Sequence, residues 1–122
     1  VKEFWEKQAE THGASDLATA PDHHYRNLEI RKVGDIMEQI VAHGAKTVLD
    51  VGCGNGYGTI ELAKRFPDIG FFGVDYSEAM IREALQAQDM AGMHNDPDFF
   101  VGDVLSLSRQ PKLAPMEPIQ RQ

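Results

Sequence analysis

Cysteine is almost absent from this sequence, and its scarcity excludes two common ways of stabilising a small domain. The 122 residues include one cysteine, so no internal disulfide can form. A single thiol also cannot supply the several thiolates of a Cys-rich structural zinc site. No disulfide framework is therefore expected, and no metal site is predicted.

Long apolar runs are missing as well. No segment approaches the roughly 20 apolar residues that a membrane-spanning helix needs. Residues 1–7 mix both charges and lack the apolar core of a secretory signal. The default expectation is a cytoplasmic location without a membrane partner.

Positive charge is in the minority. Lys and Arg number 12 against 19 Asp and Glu, which gives a formal net charge of −7. The field of the whole molecule therefore repels phosphate backbones, and we do not expect a nucleic-acid partner. The apolar share of 42% and the charged share of 25% are nevertheless those of an ordinary globular domain.

The sequence does contain a regular alternation of helical and extended patterns. Apolar residues recur at helical spacing over residues 28–42, and Gly44 follows where a left-handed C-cap is expected. Short apolar runs predict buried strands at 47–51, 71–74 and 99–101. Between them, helices are predicted at 59–66 and from the N-cap Ser77 to about Gly92. This alternation predicts an open α/β fold with a parallel sheet.

Two segments flank this alternation. Residues 1–29 form a polar lead-in. Residues 111–118 contain three prolines, which neither a helix interior nor a central strand tolerates. The sequence therefore predicts one domain over residues 1–107 and an extended or disordered tail over residues 108–122.

Acidic residues stand at the carboxyl ends of all three predicted strands, at Asp50, Asp75 and Asp103. The loop after the first strand, residues 52–58, has glycine at every second position. Ligands of open α/β sheets bind beyond the carboxyl ends of the strands. Glycine lets the backbone turn tightly and approach a ligand closely. Together these features predict a ligand site at this edge of the sheet.

The glycine loop does not match the known phosphate-binding loops. The third glycine of a dinucleotide-binding loop would replace Tyr57 or Thr59, and the Gly-Lys-Ser/Thr ending of a P-loop is absent. A phosphate would also lie near Asp50, where like charges are costly. The pattern favours a nucleoside without phosphates and is compatible with positive charge on it.

Three segments resemble the motifs of a known family. Residues 48–56 (VLDVGCGNG), 73–80 (GVDYSEAM) and 100–104 (FVGDV) are similar to the first three motifs of class I S-adenosylmethionine-dependent methyltransferases. The resemblance covers residues 28–107. It implies a Rossmann-like, three-layer αβα fold with a parallel sheet in the order 3-2-1 and N-terminal helices, with residues 1–29 as a helical extension or lid of the cofactor-binding domain. This sheet is an incomplete form of the seven-stranded sheet of the family.

The resemblance also implies that the site holds S-adenosylmethionine. Asp50 would place the ammonium group, Asp75 would accept from both ribose hydroxyls, and Asp103 would accept from the adenine amino group. An N-terminal helix covers the carboxylate of this cofactor in relatives, so the resemblance makes Arg26 a candidate partner for that group and Tyr25 a candidate lid residue. The cofactor-binding residues predicted on this basis are Tyr25, Arg26, Asp50, Gly52, Cys53, Gly54, Asn55, Gly56, Asp75, Tyr76, Gly102, Asp103 and Val104.

The implied function is transfer of a methyl group to a small-molecule acceptor. The sulfonium methyl is already electrophilic, so the reaction depends on orientation, and no catalytic residue is predicted. The alternative is a noncatalytic module that binds S-adenosylmethionine or S-adenosylhomocysteine and is completed by a partner or a second copy. Strand 47–51 has a free edge in the incomplete sheet, so a homodimer or a C-terminal fragment is the expected partner there.

Overall fold

The computed structural model describes residues 1–13, 23–93 and 95–103, in which two helices are followed by alternating strands and helices. The predicted tail over 108–122 and the predicted site residue Val104 lie outside the described residues. No helix in the described ranges is both long and apolar enough to cross a membrane. In chain order, the elements are α1 (Lys2–His12), α2 (His23–Ala42), β1 (Thr47–Val51), α3 (Tyr57–Arg65), β2 (Gly70–Asp75), α4 (Glu78–Ala91) and β3 (Asp98–Val101).

The described strands form one parallel sheet with β2 in the centre. The register sets Val51 of β1 opposite Val74 of β2, and Asp75 of β2 opposite Val101 of β3. The carboxyl ends of the strands therefore meet at one edge of the sheet. The predicted Rossmann-like class and the strand order 3-2-1 are confirmed.

Two helices begin earlier than their predicted starts. α2 begins at His23, since residues 23–27 contain neither glycine nor proline to interrupt a helix, although they add no apolar periodicity. α3 begins at Tyr57, whose N–H donates to Asn55 Oδ1 at 3.1 Å. Local hydrogen bonds thus extend helices beyond the segments that periodicity detects.

α4 has the caps that the sequence predicts at both ends. The Ser77 Oγ accepts a hydrogen bond from Met80 N at 3.1 Å, which satisfies one of the free N–H groups of the first turn. Gly92 follows the last turn with φ +56°, in the left-handed region. These caps fix the helix that follows directly on the end of β2.

The core lies between the sheet and the helices that pack on it. Phe99 of β3 packs with Ile81 and Leu85 of α4 in one cluster, while Phe71 of β2 packs with Met37 of α2 in another. Burying each of these large side chains contributes about 1.5–3 kcal/mol. The hydrophobic core therefore holds in place the strands whose ends carry the predicted site.

Candidate functional site

The glycine-rich loop after β1 folds back onto the end of β2. The N–H groups of Gly52 and Cys53 both donate to the carbonyl oxygen of Val74, at 2.7 and 3.0 Å. Gly52 and Gly54 have φ values of +73° and +58°. Residues other than glycine rarely adopt this left-handed backbone conformation, so glycine is required for the tight turn.

Asp75 is fixed by hydrogen bonds from the backbone. Its Oδ2 accepts from Gly54 N and its Oδ1 accepts from Ser77 N, both at 2.9 Å. The residue is buried, and each carboxylate oxygen retains a further lone pair. Asp75 therefore joins the glycine loop to the turn between β2 and α4 and can still accept from a ligand.

The end of β3 lies beside Asp75. Gly102 N donates to the backbone oxygen of Asp75 at 2.9 Å, which brings Gly102 and the exposed Asp103 next to the end of β2. Tyr76 is half-buried at the same place. Desolvation, and then the charge of Asp75, raise the pKa of the Tyr76 phenol, so it remains a neutral hydrogen-bonding group.

These strand ends open onto one cavity of about 520 Å³, which we call the strand-end cavity. Cavities of this size hold small molecules. In the part of the chain that the structure describes, no group of three or more His, Cys, Asp or Glu side chains could hold a metal ion. The predicted site residues that line the cavity are Arg26, Gly52, Cys53, Gly54, Asp75, Tyr76, Gly102 and Asp103.

The strand-end cavity also has lining residues that sequence reasoning missed, namely Trp5, Glu29, Val74 and Met80. Glu29 lies three positions after Arg26 in α2, a spacing that places both on one helix face and could have indicated it. Trp5 packs with Ala9 and Met80, across the interface between α1 and α4. Such a contact between distant segments leaves no local signal in the sequence.

The remaining predicted residues do not line this cavity. Tyr25 is 60% exposed in the first turn of α2, and Asn55 and Gly56 lie buried beneath the loop. Asp50 faces a second groove, of about 280 Å³, between α2 and β1. Their roles toward a cofactor therefore stay predictions.

Asp50 is bound to α3. Its Oδ2 accepts a hydrogen bond from Thr59 Oγ1 at 2.7 Å. Burial raises the pKa of Asp50, while the Thr59 hydrogen bond and the charge of Arg26 act in the opposite direction. The nearby charge of Asp75 adds to the increase. Asp50 therefore anchors β1 to the first turns of α3 at a cost in desolvation.

Asn55 and Gly56 shape the loop from inside. Asn55 is fully buried, and its Nδ2 donates to the backbone oxygen of Gly13 at 2.8 Å. A Cβ at Gly56 would stand 2.8 Å from Phe99 Cζ and 2.9 Å from Ala84 Cβ. Carbon atoms pack about 3.5–4.0 Å apart, so Gly56 is required by the core beneath the loop.

Cys53 fills the space under the loop. Burial, followed by the charges of Asp50 and Asp75, raises the pKa of the Cys53 thiol far above its usual range. A Cβ at Gly73 would stand 2.9 Å from Cys53 Sγ, so glycine in β2 makes room for the sulfur. Burial therefore disfavours the thiolate, which is the form of cysteine that reacts as a nucleophile.

Arg26 reaches the strand-end cavity from α2. A Cβ at Gly58 would stand 2.9 Å from Arg26 Nη2, so glycine at this position lets the guanidinium approach α3. The Arg26 Nε is buried without a hydrogen-bond partner, and in the described residues Gln88 Oε1 is the other such atom. A buried donor without a partner is costly, and no described residue pairs with this Nε.

Comparison with known families identifies the domain type. A family profile described as "Methyltransferase domain" matches residues 42–113, more than half of the chain. The matched segment contains the glycine loop, Asp75 and Asp103.

Curated relatives match the same part of the chain over short segments. Trans-aconitate 2-methyltransferase of Yersinia pestis is 37% identical over 65 residues, which are 51% of this chain and 25% of that protein. The protein of the same name from Azoarcus sp. is 40% identical over 57 residues, 47% of this chain and 22% of that protein. The chain therefore spans about a quarter of the length of the curated relatives it matches.

Solved structures share the fold over most of the described chain. Magnesium protoporphyrin IX methyltransferase from Synechocystis with bound S-adenosylhomocysteine (SAH) has a TM-score of 0.53 and 27% identity, covering 88% of this chain and 47% of that one. The plantazolicin methyltransferase has a TM-score of 0.54 and 21% identity, covering 91% of this chain and 45% of that one. At that lower identity the likeness concerns the fold alone.

Proposed function

The chain belongs to the class I S-adenosylmethionine-dependent methyltransferases, and we propose that it forms the cofactor-binding part of an enzyme that methylates a small molecule. One observation carries the proposal. The glycine loop, Asp75 and Asp103 come from three different strand ends and line a single cavity. That is the placement an adenosyl ligand needs in an open α/β sheet.

The residues of the cavity suit the parts of S-adenosylmethionine. Asp75 keeps one free lone pair on each oxygen for the two ribose hydroxyls, and Tyr76 and Asp103 flank the place for the adenine. A Cβ at Gly52 would meet no atom within 4 Å, so the ligand can approach the loop backbone there. Arg26 lines the cavity, and its guanidinium is the cation that we propose as the partner of the carboxylate.

The charge of the cavity also suits this cofactor. S-adenosylmethionine carries a sulfonium and an ammonium group. Asp75, Asp103 and Glu29 face the cavity in a chain of net charge −7. Opposite charges concentrated at a cleft raise the local concentration of a cationic ligand and its association rate.

The chemistry requires orientation more than acid-base groups. When bound, S-adenosylmethionine supplies a sulfonium-linked methyl group that is already electrophilic. Orientation of two reactants can lower a barrier by about 7–11 kcal/mol. The glycine loop and Asp75 supply the fixed half of that geometry, because backbone hydrogen bonds hold both in place. No described residue is assigned to the acceptor.

We further propose a small molecule as the acceptor. The curated relatives are named for trans-aconitate, and the Synechocystis protein for a magnesium porphyrin. Both are small molecules, and the negative net charge disfavours a nucleic acid. A cytoplasmic location also stays a prediction, supported by the single free, buried cysteine.

β1 is the surface through which we propose that the chain is completed. β1 lies at an edge of the described sheet, and its alternate residues Leu49 and Val51 are 44% and 48% exposed. Ile36 and Ile40 of α2 are exposed too. Edge strands carry unpaired N–H and C=O groups. Since the chain covers 47% of the Synechocystis protein, a further segment of the same fold is the occupant we propose.

Association through β1 can be tested by light scattering and hydrogen exchange on the chain alone. We expect a monomer of 13.6 kDa in which the β1 amides that face away from β2 exchange rapidly, because the strand that would protect them is not supplied. A particle of twice that mass that Leu49→Lys dissociates would instead indicate a homodimer through the same face. A monomer in which these outward-facing β1 amides exchange slowly would contradict both interpretations.

Calorimetric titration with SAH tests the cofactor site. Asp75→Asn replaces one carboxylate oxygen by a donor, and we expect it to weaken binding by about 1–3 kcal/mol, or roughly 5- to 150-fold. Asp98→Asn at the opposite end of the sheet is the matched control, since Asp98 is exposed and far from the cavity. Equal affinity of the two variants would refute the role of Asp75. Release of methyl groups to candidate acceptors then separates an enzyme from a binding module.

A further inference from the structure

The geometry points to helix α1 as a part of the cofactor site, in which Trp5 forms one wall of the strand-end cavity and Glu6 positions the turn that carries Asp75. This inference rests on the proposed function, because it assigns residues to the same S-adenosylmethionine site. It concerns a segment outside the matched family region, residues 42–113. Its support comes from two attachments of α1, one to the β2–α4 turn and one to the glycine loop, the segments that carry Asp75 and Gly54 of the cavity.

The first attachment is a chain of hydrogen bonds from α1 to the glycine loop. Ser77 Oγ donates to Glu6 Oε1 at 2.6 Å, and Ser77 N donates to Asp75 Oδ1 at 2.9 Å. Asp75 Oδ2 in turn accepts from Gly54 N. The Ser77 hydroxyl has a single proton, and giving it to Glu6 leaves the oxygen lone pairs for Met80 N. Glu6 thus sets the orientation of the cap that follows Asp75.

The second attachment joins the far end of α1 to the loop itself. Asn55 Nδ2 donates to the backbone oxygen of Gly13, which directly follows α1, at 2.8 Å. The same side chain accepts from Tyr57 N through Oδ1 at 3.1 Å. Asn55 itself is fully buried, and its hydrogen bond to Gly13 is partly buried. α1 is therefore held at Glu6 by the β2–α4 turn and at Gly13 by the glycine loop.

Trp5 directly precedes Glu6, the residue of the first attachment. It lines the strand-end cavity together with Asp75, Tyr76 and Asp103. The ring of Phe4 meets that of Trp5 edge-on, with centroids 4.9 Å apart, and Met80 packs on the same cluster. The indole is thus held in place by its neighbours and presents an apolar and aromatic surface to the cavity.

This arrangement makes cofactor binding and the docking of α1 two coupled events. A ligand that contacts Trp5 stabilises the docked helix, and by reciprocity a helix that docks poorly lowers the affinity for the ligand. Glu6 acts through Ser77 and not on the ligand, so it is a positioning residue. Trp5 touches the cavity directly.

Trp5 is the sole tryptophan of the chain, which makes its fluorescence a specific reporter. The experiment titrates the full chain with SAH and follows tryptophan fluorescence and calorimetric heat in parallel. We expect both signals to saturate with the same dissociation constant. We also expect the amides of α1 to exchange about tenfold more slowly in the presence of SAH, while those of the last two turns of α2 do not change.

Three variants separate positioning from general stability. Glu6→Ala removes the acceptor of the Ser77 proton, and we expect SAH to bind about 3- to 10-fold more weakly. Glu6→Gln retains an oxygen at that place and should recover most of the affinity. Glu10→Ala is the control, because Glu10 is exposed on the same helix one turn later and lines no wall of the cavity.

The possible results are distinct. Calorimetric binding without any change in Trp5 fluorescence or α1 exchange would overturn the inference and leave the proposed function standing. Equal affinities of Glu6→Ala and Glu10→Ala would overturn the positioning role of Glu6. An absence of calorimetric binding would remove the proposed function, and this inference with it.

Discussion

Gly56→Ala tests whether the glycine loop rests on the core in the way the structure shows. Gly56 has φ +78°, and an added Cβ would stand 2.8 Å from Phe99 Cζ and 2.9 Å from Ala84 Cβ. A non-glycine residue in the left-handed region costs about 1–2 kcal/mol. Insertion of a methyl group into a packed core costs about 1–3 kcal/mol more. We therefore expect a loss of about 2–5 kcal/mol in the free energy of unfolding.

Gly92→Ala provides the matched control for the cost of placing a non-glycine residue in the left-handed backbone conformation. Gly92 has φ +56°, and a Cβ there would meet no atom within 4 Å. We expect this variant to lose only the conformational part, about 1–2 kcal/mol. The difference between the two variants therefore measures the contact with Phe99 and Ala84.

Urea unfolding measures the stability lost by each variant, because a lower midpoint concentration with an unchanged dependence on urea reports a lower free energy of unfolding. Phe99→Leu combined with Gly56→Ala offers a second check, because the smaller side chain relieves the contact and the two changes should not be additive. If Gly56→Ala and Gly92→Ala lost the same stability, the close approach of the loop to Phe99 would be refuted.

Two further predictions concern Asp50 and Asn95. Burial raises the pKa of Asp50 above its unfolded value of about 3.9, so the folded chain binds a proton at Asp50 more tightly than the unfolded chain does. Lowering the pH from neutral toward about 4 should therefore stabilise the protein relative to Asp50→Asn. A stability difference that does not vary with pH would contradict this. Asn95 Nδ2 donates to the backbone oxygens of Ala63, Phe66 and Ile69 at 3.2, 3.0 and 3.0 Å. Asn95→Ala should therefore cost about 1–3 kcal/mol in urea unfolding, and Asn95→Asp, which lacks the donor, should not restore it.

The fold could be predicted from the sequence because its signals are local. Apolar runs bounded by glycine marked the three strands, and Ser77 and Gly92 marked the ends of α4. The start of α2 could not be found by periodicity, since its first residues, from His23 on, are exposed and polar.

The parts of the candidate site that lie at the strand ends were predictable. The level of a residue within its strand and the packing of α1 on α4 were less so. Asp50 pairs in register with Gly73, two residues before Asp75, so it lies farther from the carboxyl edge of the sheet than Asp75 does. Its carboxylate accepts a hydrogen bond from Thr59. The acidic pattern alone does not distinguish these levels. The position of Trp5 depends on contacts between residues about 70 positions apart, such as Glu6 with Ser77, which no local pattern contains.

The fixed carboxylate of Asp75 has a consequence for selectivity between nucleosides. Because two N–H groups of its own chain immobilise it, the entropy of ordering this side chain is lost during folding and not when a nucleoside arrives. A rigid acceptor that matches a vicinal diol discriminates strongly against a sugar that lacks one hydroxyl, since an oxygen then loses its water without gaining a donor. If Asp75 accepts from the two ribose hydroxyls, as we propose, the strand-end cavity should bind a ribonucleoside more tightly than its 2′-deoxy counterpart.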